Sequence, residues 1–422
     1  MLIGAIADDL TGATDLALTL VREGMRTVQV VGVPAPVMAF DGADAVVVAL
    51  RSRTMAAPEA VRLSLAAADI LLARGARQLF FKYCSTFDST PEGNIGPVAD
   101  ALLDRVGERL ALACPAFPTN RRTVYRGHLF VGDQLLSDSP MKDHPLTPMR
   151  DSNLVRVLQQ QTTRSVGLVS LDVVARGADA VRYAFERAVA DGFGFVVVDA
   201  VSDADLHAIG RAAAGMKLVT GGSGVAIGLP QNFRAAGLLQ RRSGVAILEP
   251  PPGRAVMLAG SCSEATLRQV ESARRKGTPT LGVDAVLVAD GSVTAETVAA
   301  WVLSQPADAI PLVYSSADAA TVAAVQARLG RERAGGLIEQ LLAETARRLR
   351  DRGVSRFLVA GGETSGAVVA ALGVTSLVIG PEIDPGVPWT MGQGEGGRLA
   401  LALKSGNFGA DDFFTRAWTM LK

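Results

Sequence analysis

Cysteine is scarce in this sequence: Cys84, Cys114 and Cys262 stand far apart and are odd in number. Such a set builds no disulfide framework and points to a reducing compartment. Histidine is as scarce, and His128, His144 and His207 match no metal-ligand spacing. No ligand set for a resident metal is read from the sequence. Charge of one sign is not in excess either, with Lys plus Arg and Asp plus Glu both at 42. Without a global field to hold a polyanion, nucleic acid is not expected as a partner, though a local basic pocket for one small anion is compatible with this balance. Long hydrophobic runs are missing. The apolar opening, residues 2–7, lacks a basic flank and is too short for a signal sequence, and no later run reaches membrane length. A cytoplasmic protein with no membrane partner is expected; self-association is left open. There is no internal repeat, no low-complexity tract and no G-x-x-x-x-G-K-[ST] loop.

What is present is a regular alternation over 422 residues, a length at which two domains are the default. Short β-branched runs at 2–7, 27–33, 45–50, 78–83, 110–116, 166–173 and 193–201 read as strands. Between them lie amphipathic segments ending in glycine, such as 15–23 before Gly24 and 59–74 before Gly75. Continuous apolar strands alternating with helices imply a parallel sheet covered on both faces. One interruption, 123–129 and 134–137 around Val131-Gly132-Asp133, reads as a hairpin, followed by a loop rich in proline. Residues 229–254 change character, with Pro230, Arg241-Arg242 and Pro250-Pro251-Pro252. Such a stretch cannot continue a helix or a central strand. The alternation then restarts, with strands at 255–259, 280–283, 310–314, 356–360, 376–379 and 399–403 and helices including 264–276 and 336–352. The expected fold is therefore α/β, with two domains, residues 1–240 and 241–422, each a largely parallel sheet flanked by helices, and a cleft between them.

Ligands of parallel sheets bind at the carboxyl ends of the strands, where helix N-termini present free N–H groups. The first strand ends in Asp8-Asp9-Leu10-Thr11-Gly12. Two adjacent carboxylates suit a general base acting on a sugar hydroxyl; helix capping by Asp9 or Thr11 is an equal alternative. Later strand ends in the first half carry Arg51-Ser52-Arg53 and Lys82-Tyr83-Cys84-Ser85-Thr86-Phe87-Asp88. Arginine is suited to bidentate recognition of a carboxylate. One such cation is usually a solvated surface charge. Their recurrence beside Asp8-Asp9 favours a polar site for a small, anionic, hydroxylated molecule.

The second half has three glycine-bearing strand ends: Gly260-Ser261-Cys262-Ser263, Gly361-Gly362-Glu363-Thr364 and Lys404-Ser405-Gly406-Asn407. Glycine lets backbone N–H groups approach phosphate oxygens, and Ser or Thr adds hydroxyl donors. A tight strand-to-helix turn needs glycine for its own sake, but three in one domain favour a nucleotide site. A nicotinamide dinucleotide is the competitor, since Gly260 and Asp284 have roughly the fingerprint spacing. The second and third fingerprint glycines are missing. Gly221-Gly222-Ser223-Gly224, after the strand residues 217–220, reads either as site floor, as hinge or as a plain turn.

Taken in order, Ala7-Asp8-Asp9-Leu10-Thr11-Gly12-Ala13, Lys82 to Thr90, Cys114-Pro115-Ala116-Phe117-Pro118 and the three glycine-bearing loops resemble the four-carbon acid sugar kinase family over nearly the whole chain. The resemblance implies an N-terminal domain that binds an acid sugar and a C-terminal domain that binds ATP. By it, Ser261, Gly361, Gly362, Glu363, Thr364 and Gly406 look like nucleotide contacts. Asp8 and Asp9 look catalytic, and Arg51, Arg53, Lys82 and Asp88 look like substrate contacts. The stretches 125–132 and 144–149 look most like the branch acting on 3-oxo-tetronate, with threonate and erythronate as near alternatives. ATP is the implied cofactor; Mg²⁺ is expected on charge grounds, to let a neutral site approach the γ-phosphate, and a 4-phosphate is expected because the primary hydroxyl is the least hindered nucleophile.

Overall fold

The computed structural model describes residues 1–421 apart from 39, 145–146, 241–247 and 395–396. The chain forms two compact units, Met1–Gly244 and Val245–Lys422. The 240/241 boundary expected from the sequence, with Arg241-Arg242 beside it, abuts residues outside the described set.

In the first unit eight parallel strands pair in the order Thr27–Val31, Ala45–Ala49, Ile3–Ala7, Gln78–Lys82, Leu218–Gly221, Ala111–Cys114, Phe193–Val198 and Ser165–Val169. Ile3–Ala7, Ala45–Ala49 and Gln78–Lys82 are buried at every position, as strands covered by helices on both faces must be. The order brings three candidate motifs together. The strands leading to Arg51, Asp8 and Lys82 are neighbours, with Ala7 opposite both Ala49 and Lys82.

Two readings within this unit are corrected. The run 166–173 is not one strand: it ends at Val169, and Leu171–Val174 is helical after Ser170. The Leu171 N–H donates to the Asp199 carboxylate, giving the backbone a partner outside the sheet. Nor is 123–129 one strand. Strands Arg122–Tyr125 and His128–Val131 are separated by Arg126 and Gly127, both at positive φ, before Gln134–Leu135 completes a three-stranded antiparallel arm. Asp199 accepts from both turn N–H groups, at 2.7 and 2.8 Å.

In the second unit the order is Thr280–Gly282, Leu312–Tyr314, Arg254–Ala259, Val354–Ala360, Gly397–Lys404, Val387–Gly394 and Ser376–Asp384. The first five are parallel and the last two antiparallel. The strand Val387–Gly394 is absent from the sequence reading, because Pro388, Gly392 and Gly394 all count against a strand by composition. Its burial decides otherwise: Trp389 is fully buried in a core that also holds Phe413 and Phe414, and its indole N–H donates to Ala417 O. As in the first unit, three motif-bearing strands are adjacent. Arg254–Ala259, Val354–Ala360 and Gly397–Lys404 end in the three glycine-bearing loops, with Ala360 level with both Ala259 and Lys404. No described helix is long and apolar enough to cross a membrane.

Candidate active site

At the strand ends of the first unit the carboxylates and Arg53 form one network. Arg53 donates from Nε to Asp8 Oδ2 at 2.9 Å and from Nη2 to Asp8 Oδ1 at 2.8 Å, and Nη2 also reaches Asp9 Oδ1 at 2.8 Å. Its remaining Nη1 is 4.0 Å from Asp88 Oδ2. The loop that presents it is held by backbone bonds from Ser52 and Arg53 to Asp8 O, and by the Asn94 amide, which donates to Ser52 O at 2.6 Å and Met55 O at 3.1 Å. Asp9 also caps the Leu10–Arg22 helix, accepting from Gly12 N at 3.0 Å and Thr11 Oγ1 at 2.8 Å. Capping and ion pairing thus coexist in one residue. Asp8 makes no cap.

The two carboxylates are driven apart electrostatically. Burial raises the pKa of Asp8, and the pairing with Arg53 offsets this only in part, since Asp9 adds like charge. Asp9 is also penalised by burial, but Arg53, Lys82, Thr11 and the Gly12 N–H together outweigh it, so its pKa is lowered. An acid shifted upward beside one held ionised is the arrangement that separates proton-transfer roles. Asp8 is the member suited to take a proton.

Lys82 ends its strand almost fully buried and donates to Tyr83 O at 2.9 Å. A Cβ built on Gly12 would stand 2.9 Å from Lys82 Nζ, so the ammonium lies against the start of the helix. Asp15, buried on the same helix, has its pKa raised by burial, with Lys82 opposing the rise. Asp88 accepts from Thr86 Oγ1, and between them Phe87 is fully buried at φ 53°, edge-on to Tyr83. A bulky side chain held in the left-handed region marks a backbone fixed by its surroundings. Arg51 is exposed. Of the six candidates in this unit, Asp8, Asp9, Arg53 and Asp88 therefore converge, and Lys82 adjoins them. Asn94 and Asp15 are the residues that sequence reasoning passed over. Asn94 carries no motif signal, whereas Asp15 stands one turn beyond Thr11, two residues past the motif that ends at Ala13.

In the second unit two of the three glycine-bearing loops line a cavity of ≈ 680 Å³, within the range of small-molecule sites. Gly260–Cys262 and Gly361–Thr364 form part of its wall, and Leu287, Val322, Val325 and Ile338 add apolar surface. No side chain caps the start of the helix Gly362–Ala371, where the first N–H groups, as in any helix, have no intrahelical acceptor. Gly361 has φ 125°, and a Cβ there would lie 3.2 Å from Ser261 N. A Cβ on Gly260 would overlap Thr364 Oγ1, and one on Gly406 would overlap Ser261 Oγ. Ser261, Gly361, Thr364 and Gly406 are thus drawn together, with Gly362 and Glu363 in the same wall. Asp284, the acid of the dinucleotide alternative, lines the cavity and caps its own short helix through Val286 N at 2.8 Å.

The cysteines supply a direct check on this geometry. Burial pushes the thiols of Cys84 and Cys114 up to about 12, whereas Cys262 is exposed in the cavity wall. Cys262 alone is expected to react with an aromatic disulfide near neutral pH, and a nucleotide in the cavity should slow it. Rapid modification of more than one thiol in the native protein would contradict the raised thiol pKa of half-buried Cys84 and the burial of Cys114.

Residues 3–229 match a family model described as a sugar-binding N-terminal domain, and residues 256–414 one described as a nucleotide-binding C-terminal domain. A Burkholderia multivorans protein named 3-oxo-tetronate kinase is 56% identical over 416 residues, covering 99% of this chain and 96% of that one. A Salmonella typhimurium protein of the same name is 44% identical over 418 residues, covering 98% of each. Among solved structures, one from Salmonella typhimurium LT2 described as a putative tRNA synthase superposes with a TM-score of 0.86 at 43% identity, over 98% of both chains. A Haemophilus influenzae protein superposes with a TM-score of 0.78 at 43% identity, over 99% of this chain and all of that one.

Proposed function

This chain belongs to the four-carbon acid sugar kinase family, and from that premise we propose that it transfers the γ-phosphoryl group of ATP to the terminal hydroxyl of 3-oxo-tetronate, giving 3-oxo-tetronate 4-phosphate. The observation that carries the reading is the pairing of two different strand-end sites in one chain. One is a carboxylate and cation cluster in which Asp8 is shifted upward and Asp9 downward; the other is a glycine-walled cavity beside a helix start that no side chain caps. The relatives' shared name favours the 3-oxo acid over threonate and erythronate, and a kinase over a dehydrogenase.

In this mechanism Asp8 accepts the proton of the attacking hydroxyl. Arg53 holds Asp8 through two parallel bonds and keeps Asp9 ionised, which leaves Asp9 to fix the start of the helix. Arg53 is so engaged with these carboxylates that Lys82, together with Arg51, is the cation proposed to receive the substrate carboxylate; Asp88 is proposed to meet a hydroxyl. The glycine loops place N–H groups around the phosphates, where charge develops during transfer. Among the described residues no cluster of three His, Cys, Asp or Glu is placed to hold a metal. Mg²⁺ is commonly bound through substrate phosphates and waters rather than a protein cage, so it is proposed to enter as MgATP. Its role there is to offset phosphate charge. The cytoplasm is the proposed location.

The deciding experiment supplies purified protein with MgATP and a panel of four-carbon acids, and locates the ester by phosphorus-coupled NMR. The 3-oxo acid should be the best substrate and carbon 4 should carry the phosphate, the primary hydroxyl being the least hindered nucleophile. A carbon-2 ester would overturn the substrate orientation, and threonate or erythronate as the better substrate would overturn the choice of acid.

A further inference from the structure

Lys404 has no part in the reading above, yet its burial is complete: the side chain is 0% exposed at the end of Gly397–Lys404. Burial pulls its pKa down to about 7, and no charged group is among the causes. A buried amine without a counter-charge costs stability, so its retention calls for a local compensation. The compensation is visible in what it holds. Nζ donates to Thr266 Oγ1 at 3.1 Å, to Ser405 O at 2.9 Å and to Gly406 O at 2.8 Å. Gly406 O is also approached by Ser263 Oγ at 2.6 Å and Thr266 Oγ1 at 2.9 Å, so three donors converge on one carbonyl.

A trans peptide carries its C=O and N–H on opposite sides, and the chain has no cis bonds among the described residues. Turning the Ser405 and Gly406 carbonyls towards Nζ therefore turns the next N–H groups, those of Gly406 and Asn407, the other way. No acceptor for either is found among the described backbone groups. Consecutive N–H groups pointing to one side form a concave anion site. The overlap that a Gly406 Cβ would make with Ser261 Oγ sets Gly406 beside the Ser261 turn, and Ser261 itself lines the cavity.

We propose that Lys404 is a positioning residue for the nucleotide: it holds the Gly406 and Asn407 N–H groups as a paired donor site for a phosphate of ATP, without touching the phosphate itself. The inference rests on the reading of this cavity as the ATP site. Ser263 and Thr266 serve the same anchor from the start of the Glu264–Arg275 helix.

The test uses the full chain, with Lys404→Met to remove the donors and Thr266→Val to remove the bridging hydroxyl. MgATP binding is read by calorimetry, and KM for ATP and for the acid by kinetics. Each variant should weaken ATP by about tenfold or more, the scale of a lost charge-assisted hydrogen bond, with KM for the acid unchanged. That split is what a general loss of structure would not produce. Wild-type protein that binds no ATP would overturn the nucleotide reading and this inference with it. Wild-type binding matched by an undiminished Lys404→Met protein would overturn the inference alone. If Lys404→Met fails to fold, Thr266→Val decides by the same readout, equal ATP affinity counting against the proposal.

Discussion

An Asp8→Asn protein is expected to turn over about 10²–10⁴-fold more slowly than the parent, the range typical of a lost general base. The amide keeps the shape of the side chain but cannot accept the proton of the attacking hydroxyl. Nucleotide affinity should be untouched, because the ATP contacts are proposed on other residues, in the second unit. The residual activity of the variant should also lose its acid limb. In the parent, turnover is expected to fall as pH drops through the raised pKa of Asp8, since only the ionised carboxylate is a base. Asp9→Asn makes the informative comparison. Asp9 is held ionised and bonded to Gly12 N, Thr11 Oγ1 and Arg53, so its loss should loosen the helix start and lower thermal stability as well as rate. Full turnover in Asp8→Asn would move the base to Asp88 or beyond.

Gly361→Val is expected to abolish measurable ATP binding while leaving acid binding intact. Two independent costs act at this position. A φ of 125° is a backbone conformation that L side chains rarely adopt, and a Cβ would press on Ser261 N at 3.2 Å and Thr364 Oγ1 at 3.0 Å. Either the loop shifts away from the cavity or the branched side chain fills the space proposed for phosphate. Titration calorimetry with MgATP, and separately with the acid, checks both halves. Unchanged ATP affinity would relocate the nucleotide away from the glycine loops.

The positions of the motifs along the chain were legible because strand and turn chemistry is local. The run 45–50 reads as a buried parallel strand and proves to be Ala45–Ala49, and glycine after 59–74 marks a helix that ends at Ala73. The family motifs were equally legible, since they are consecutive residues. Less legible were elements whose local composition misleads. Val387–Gly394 carries Pro388 and two glycines, yet burial of Trp389 holds it in the sheet.

By itself the sequence determined the α/β class, the two sets of strand-end motifs and the kinase family. What only the tertiary structure decided is which members act on one another. Sequence spacing does not say that Arg53 spans Asp8 and Asp9, 45 and 44 residues away. Nor does it show that the Asp199 carboxylate fixes the turn at Arg126 and Gly127, 73 and 72 residues before it. It also leaves the choice between base and cap for the paired aspartates undecided, because that depends on burial and on charges brought from other strands. Nor does the motif Lys404-Ser405-Gly406-Asn407 show what its lysine holds, since only its place beneath the Gly406 loop makes Lys404 a structural donor. The physical reason is common to all four. A side chain's charge state and hydrogen-bond partners are set by what packs within a few ångströms of it, and parallel sheets build those neighbourhoods from segments far apart in the chain.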